Sequence, residues 1–226
     1  MLDLAHELRT PLMAMRATLE AMIDGALPTD REHLCTVHAS VLHLCHLVDL
    51  QYSLSRMERG DIKLDLKHFD MGEMIEELAQ LFAPLAQESG LTLSHVFEEG
   101  LRVSGDPGLL RQAVSNLLSN AIRFTMPGGH ILVMARKAGQ LLEVVVEDSG
   151  VGIKPEDLER VFVTYWRSTD ISLDASNSPL PLNEGLGIGL AIVKGVAELH
   201  GGSVSVESTP GEGARFCLRV PLDEDF

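Results

Sequence analysis

Basic residues are in short supply in this chain: 18 Lys and Arg stand against 33 Asp and Glu among 226 residues, a formal net charge of −15 at pH 7. A surface of that sign repels phosphate backbones, and no Lys/Arg-rich run offsets it, so no nucleic-acid partner is expected. Aromatic residues make up 4%, which leaves the core to Leu, Val, Ile and Met. The three cysteines, Cys35, Cys45 and Cys217, are odd in number and lack CxxC spacing. They offer no disulfide framework and fit a reducing compartment. No apolar run nears the roughly 20 residues that cross a bilayer. The opening MLDLAHELRTPL lacks the charged-then-apolar plan of a signal peptide.

What is present falls into two parts with different periods. In residues 1–60, Ala5, Leu8, Leu12, Met15, Leu19 and Met22 follow a three-four spacing, the narrow seam of a coiled coil rather than a broad core face. Asp24-Gly25 breaks the pattern, and a second helix is expected from about Asp30 to Met57. Leu34, Val37, Val41, Leu44 and Val48 give its seam, which continues after a small phase shift through Leu47, Leu50, Leu54 and Met57. Two such helices on a short loop make an antiparallel hairpin, and a lone hairpin buries a narrow seam poorly. Two hairpins bury it well, so the pattern predicts a homodimer held by a four-helix bundle.

Residues 61–226 read as α/β. Asp70 with Glu73 suggests a capping box for a helix over Met71–Gln87. Leu91–Phe97 alternates like a strand. Asp106-Pro107 starts a helix that should reach Phe124. Ile131–Arg136 and Leu141–Glu147 form a hairpin about Ala138-Gly139. Gly187–His200 reads as a helix, and Ser203–Ser208 and Ala214–Val220 as closing strands. Ser168–Glu184 is a long segment without periodicity, of the length and composition of a lid or a disordered loop.

Four constellations carry chemistry. His6-Glu7-Leu8-Arg9-Thr10-Pro11 puts a histidine just off the seam, where its ring should face solvent, next to a carboxylate able to hold one ring nitrogen. Pro11 inside the helix should bend it there. On spacing alone, a solvated histidine on a kink-tolerant helix fits about equally well. Asn116, Asn120 and Arg123 share one helix face. Amide oxygens beside a cation suit Mg²⁺ with nucleotide phosphates, and an ordinary solvated face is the bland alternative. Glu147-Asp148-Ser-Gly150-Val-Gly152 follows a strand. Its carboxylate could accept a hydrogen bond from an exocyclic amine, though a plain turn has the same letters. Gly185-Leu186-Gly187-Ile-Gly189-Leu190 opens a helix with amides free to cradle phosphates. It is neither a dinucleotide fingerprint nor a Walker A loop. His33, Cys35, His38, His43, Cys45 and His46 crowd the second helix, but they point several ways around it, and a metal site is the weaker reading.

The order and spacing of these motifs resemble the sensor histidine kinases of two-component systems from end to end. HELRTPL resembles the family's H box, NLLSNAIRFT the N box, DSGVGI the first Gly-rich box, Phe162–Arg167 the F box, EGLGIGLAIVK the second Gly-rich box and GEGARF the last. The pattern departs at Glu184 and Leu186, where Gly and a small polar residue are usual, and at Val163-Thr164, where an acidic-Pro pair is common. The resemblance implies an α+β fold: a dimeric helical hairpin over 1–60 and, over 61–226, an α/β sandwich shared with gyrase, heat-shock chaperone and mismatch-repair ATPases.

It also implies roles. His6 would be the phosphoacceptor, Glu7 its general base, and Thr10 the residue that positions water in the opposing phosphatase reaction. Asn116 and Asn120 would hold Mg²⁺. Arg123, Asp148, Gly150, Gly152, Tyr165, Arg167, Gly185, Leu186, Gly187, Gly189 and Leu190 would bind ATP, with Ser168–Glu184 as its lid. The implied partners are a second copy and a response-regulator receiver domain. A sensor and membrane anchor are expected upstream, which would make this the cytoplasmic portion of a protein held in the bacterial membrane. A degenerate kinase serving as scaffold or phosphatase, or an ATPase without histidine phosphorylation, remains the alternative reading.

Overall fold

The structure is a computed structural model that describes residues 4–60, 62–166 and 187–222. Helix α1 (Leu4–Ile23) and helix α2 (Arg31–Glu58) form the hairpin. Asp30 caps α2 by accepting from the His33 amide at 3.0 Å. Because the loop is short, residues equally far from it come level, which sets His6 opposite Val48. Met15 and Met22 turn inward and are buried, whereas Leu12 and Leu19, and Leu34, Val41 and Val48 on α2, are exposed. Each set recurs at seven-residue steps, so the seam splits into one row that closes the hairpin and a second that faces out.

The rest is a two-layer sandwich. Strands β2 (Thr92–Phe97), β4 (His130–Ala138), β5 (Leu141–Asp148), β6 (Ser203–Thr209) and β7 (Gly213–Pro221) form one sheet in the order β2-β4-β5-β7-β6. Only β2–β4 is parallel. Helices α3 (Met71–Glu88), α4 (Pro107–Phe124) and α5 (Gly189–Leu199) bury Ile75, Leu78, Leu110, Leu117, Leu118 and Ile192 against Ile131, Leu142, Val144, Val146 and Leu218. The outer face is held differently. Glu143, nearly buried, accepts from Arg136 at 2.8 Å and from Arg219 at 2.7 Å. Those two bonds, Arg219 first, hold its carboxyl below the usual range against the opposing effect of burial.

Short strands β1 (Lys67–Asp70) and β3 (Arg102–Gly105) pair as a separate ribbon, and neither is legible in the sequence. Asp70 caps α3 through the amides of Gly72 and Glu73. Among the described residues the Glu73 side chain makes no return bond, so only half of the expected capping box forms. Helix α5 begins at Gly189, two residues later than the sequence suggested.

The hairpin touches the sandwich through the last turns of α2. Leu54 is buried in the sandwich core and Met57 packs against it. The Gln112 amide donates to Ser53 Oγ at 3.4 Å, and the Tyr165 hydroxyl donates to Gln51 Oε1 at 3.0 Å. The phase shift in the α2 seam thus marks where the helix stops facing α1 and starts facing the second half of the chain.

Candidate functional site

Asp148 ends β5 and is buried. Its Oδ1 accepts from the amides of Gly150, at 2.9 Å, and Ala214, at 3.3 Å. The second contact follows from sheet register, since Asp148 pairs with Ala214 across β5–β7. The last Gly-rich motif therefore enters the site by supplying a backbone donor, a role its letters alone did not reveal. Among the described residues Oδ2 has no hydrogen-bond partner. Burial pushes the carboxyl above the usual carboxylate range; the two amide bonds counter this only in part, and neighbouring Glu147 adds to the rise. A buried acceptor with one oxygen committed and the other vacant is arranged to receive a donor from a ligand.

Gly152, at φ +70°, lies where a Cβ would run into the carbonyl of Thr209, so the first Gly-rich turn is closed against the β6–β7 connection. Gly187, at φ +65°, would place a Cβ 2.6 Å from Trp166 O, and its own carbonyl accepts from the Tyr165 amide at 3.0 Å. The F box and the second Gly-rich motif are thus clamped together. Tyr165 itself adopts φ 64°, a conformation rare for a residue with a bulky side chain. Its hydroxyl reaches Gln51 of the helical hairpin rather than a group of the Gly-rich turns.

Helix α4 passes beside both turns. Asn116 is buried and its amide nitrogen donates to Gly189 O at 3.4 Å, which sets the N-terminus of α5 beside the Asn face. Asn120 and Arg123 are half-buried, with the Arg123 guanidinium 5.2 Å from the Phe124 ring centre. Leu190 follows in the first turn of α5, half-buried. The Asn face, the Asp148 turn and the start of α5 therefore converge. Their donor set, an orphaned buried carboxylate oxygen, amide oxygens and a helix N-terminus, fits a purine nucleotide with Mg²⁺.

His6, Glu7 and Thr10 lie on α1, whose backbone is helical from Leu4 through Pro11; their side chains are outside the described set. Arg167, Gly185, Leu186 and the Ser168–Glu184 segment also lie outside the described residues. Gln51 and Ser53, which join the two halves, were not singled out from the sequence, and Met57 was read only as part of the seam, because hairpin seam and docking contacts share one helical spacing. His33 Nδ1 lies 2.8 Å from Asp30 Oδ1, and among the described residues no three His, Cys, Asp or Glu side chains gather as a metal site. No helix of the described residues is long and apolar enough to cross a membrane.

Residues 1–60 match the His Kinase A (phospho-acceptor) domain family. Residues 105–224, more than half of the chain, match the Histidine kinase-, DNA gyrase B-, and HSP90-like ATPase family. The histidine protein kinase DivJ of Caulobacter vibrioides is 35% identical over 97% of this chain and 36% of its own length. Among solved structures, histidine kinase AdeS of Acinetobacter baumannii superposes with a TM-score of 0.76 at 24% identity, covering 97% of this chain and 98% of that one. Full-length ShkA in complex with AMPPNP gives 0.69 at 26% identity, covering 97% of this chain and 45% of that one. The chain spans between just over a quarter and just over half the length of the curated relatives it matches. With a match to the phospho-acceptor domain family followed in order by a match to the histidine kinase-like ATPase family, the chain belongs to the sensor histidine kinases of two-component systems.

Proposed function

We propose that this chain is the cytoplasmic catalytic core of such a kinase, and that it transfers the γ-phosphoryl group of Mg-ATP to His6. The observation that carries the reading is the seating of the nucleotide half on the helical stem. Tyr165 on Gln51, Gln112 on Ser53 and the burial of Leu54 support it, since these α2 residues lie about one to two helical turns beyond Val48, roughly level with His6 across the hairpin. The vacant Asp148 Oδ2 would accept the adenine amino group, and the glycine turns shape the space around it. Asn120, with Asn116 behind it, would hold Mg²⁺, and Arg123 would meet phosphate charge. Mg²⁺, when bound, neutralises charge on the phosphate oxygens.

A ring nitrogen of His6 bonds to the γ-phosphorus as the bridging oxygen–phosphorus bond breaks. ADP leaves with that bond's electron pair, and Glu7 takes the ring proton. The phosphohistidine then passes its group to a receiver-domain aspartate, with Thr10 orienting water in the opposing dephosphorylation. Two copies would associate through the outward row of the stem.

The test is incubation of the chain with γ-labelled ATP and Mg²⁺. Label should reach the protein, survive alkali and be lost in acid, and His6→Gln should take up none. Equal labelling of His6→Gln would overturn the assignment.

A further inference from the structure

Helices α4 and α5 lie antiparallel, and α5 is held to α4 at both of its ends. The end at the nucleotide site is the Asn116–Gly189 contact. At the other end, the Asp106 amide donates to His200 Nε2 at 2.9 Å, and His200 Nδ1 lies 2.8 Å from Val196 O. These two partners fix the tautomer. The backbone amide can only donate, so Nε2 must be bare; the carbonyl can only accept, so Nδ1 must carry the proton. The spans match: from Asp106 to Asn116 and from Gly189 to His200 are each about 15–16 Å of helix.

Between the two contacts Leu110, Ala113 and Val114 on α4 and Ile192, Val193 and Val196 on α5 are buried in one apolar core. Apolar contact of that kind is non-directional and sets separation better than register. A directional bond at the far end supplies what it lacks. Asp106 is also a junction. Its Oδ1 caps α4 through Gly108 and Leu109, and its Oδ2 accepts from the amide of Asp65 in the connection from the stem, at 3.0 Å.

We infer that His200 is a positioning residue for the nucleotide site: its neutral imidazole holds α4 in register on α5, and adding a proton to it releases that grip. Protonated Nε2 would set one N–H donor against another, the Asp106 amide, at 2.9 Å. The charged groups around the junction are Asp106 itself, Asp65 with Lys67 at 2.6 Å, and Lys194 with Glu198 along α5. The nearest acceptor, the Asp106 carboxylate, is already committed to the amides of Gly108, Leu109 and Asp65. The added charge falls between the positive end of the α4 dipole and the negative end of the α5 dipole, whose effects oppose each other, so the lost acceptor is the dominant effect. The Asn116–Gly189 contact, at the other end of the same helix pair, then loses its fixed register.

This inference rests on the nucleotide reading above, and the experiment separates the two. Affinity of the full chain for Mg-AMPPNP is measured from about pH 8 to about pH 6, the range in which an imidazole titrates, for wild type, His200→Gln and His200→Phe. Gln can place an acceptor near the Nε2 position and does not titrate, whereas Phe keeps the ring and offers no acceptor. His200→Phe should bind about fivefold more weakly at pH 8, the worth of one hydrogen bond, with KM for ATP rising and kcat at saturation little changed. His200→Gln should bind nearly as wild type at pH 8. Wild type should then weaken on acidification by about fivefold relative to His200→Gln. Should the Phe variant fail to fold, the wild-type and Gln profiles decide alone. Parallel profiles for those two overturn the inference, as does a Phe variant with a lower melting temperature and unchanged affinity. A wild type that binds no nucleotide overturns the nucleotide reading and this inference with it.

Discussion

At the scale of single residues, Asp148, the group proposed to receive the adenine amine, lowers the stability of the fold that holds it. Its carboxyl titrates above the unfolded-chain value, chiefly because it is buried. In the window between those two values the native state binds more protons than the unfolded one, so stability falls as pH rises through it. At neutral pH the ionised group is therefore a net liability until a ligand donor reaches Oδ2. Asp148→Asn keeps an oxygen that can accept from Gly150 and Ala214 while removing the charge. It should melt no lower than wild type at pH 7 and lose the acid-side gain in stability. It should also weaken Mg-ATP binding by more than about tenfold, since a charge-assisted bond is worth roughly 1.5–3 kcal/mol. Calorimetric melting over a pH series together with nucleotide titration checks this. A variant with a clearly lower melting temperature and intact affinity would show that Asp148 serves the fold and not the ligand. The letters DSGVGI were enough to single out Asp148, but the donor from Ala214 was hidden because it depends on the pairing of β5 with β7, 66 residues apart.

At the scale of elements, the long helices and the main strands were legible because each carries a full period of apolar residues and a cap with a known preference: Asp106 before Pro107, Asp70 before α3, Asp30 before α2. Strands β1 and β3 were not. Four residues each, reading Lys-His-Phe-Asp and Arg-Val-Ser-Gly, they are too short to show alternation, and what holds them is each other. The docking strip on α2 was half legible. The shift in seam phase is visible in the sequence, but what it faces is decided by Gly195, where a Cβ would come within 2.8 Å of Met57 Sδ. A bulky residue there must displace the Met57 side chain. Gly195→Leu should therefore detach the end of α2 from the sandwich without unfolding either part. The expected result is a larger radius of gyration in solution scattering and tryptic cleavage after Arg59 faster by about tenfold. Unchanged scattering and cleavage would mean that Met57 merely adjusts and that the other contacts carry the docking.

At the scale of the whole molecule, the outward row of the stem is the surface through which the proposed dimer would form. Leu12 is 56% exposed, Val41 44% and Val48 53%, while the row three or four residues away closes the hairpin. Exposed apolar residues scattered singly are ordinary, but these recur every seven residues on both helices, the spacing at which a second hairpin can interlock with the first. Each such side chain contributes about 1.5–3 kcal/mol when taken fully out of water. The rows on two copies together are thus enough to hold a dimer against the entropy of association. Val41→Glu would set two carboxylates facing each other in the middle of that seam. It lies about two helical turns from the level of His6, toward the loop, and its side chain is exposed within the monomer. The hairpin and the nucleotide half should therefore fold as before. Sedimentation should show the wild type as a dimer and the variant as a monomer, with Mg-ATP affinity within about twofold of wild type, because the residues assigned to the nucleotide all belong to one chain. A variant that remains dimeric at micromolar concentration would show that the outward row is not the association surface. The exposed Leu and Val would then need a different occupant.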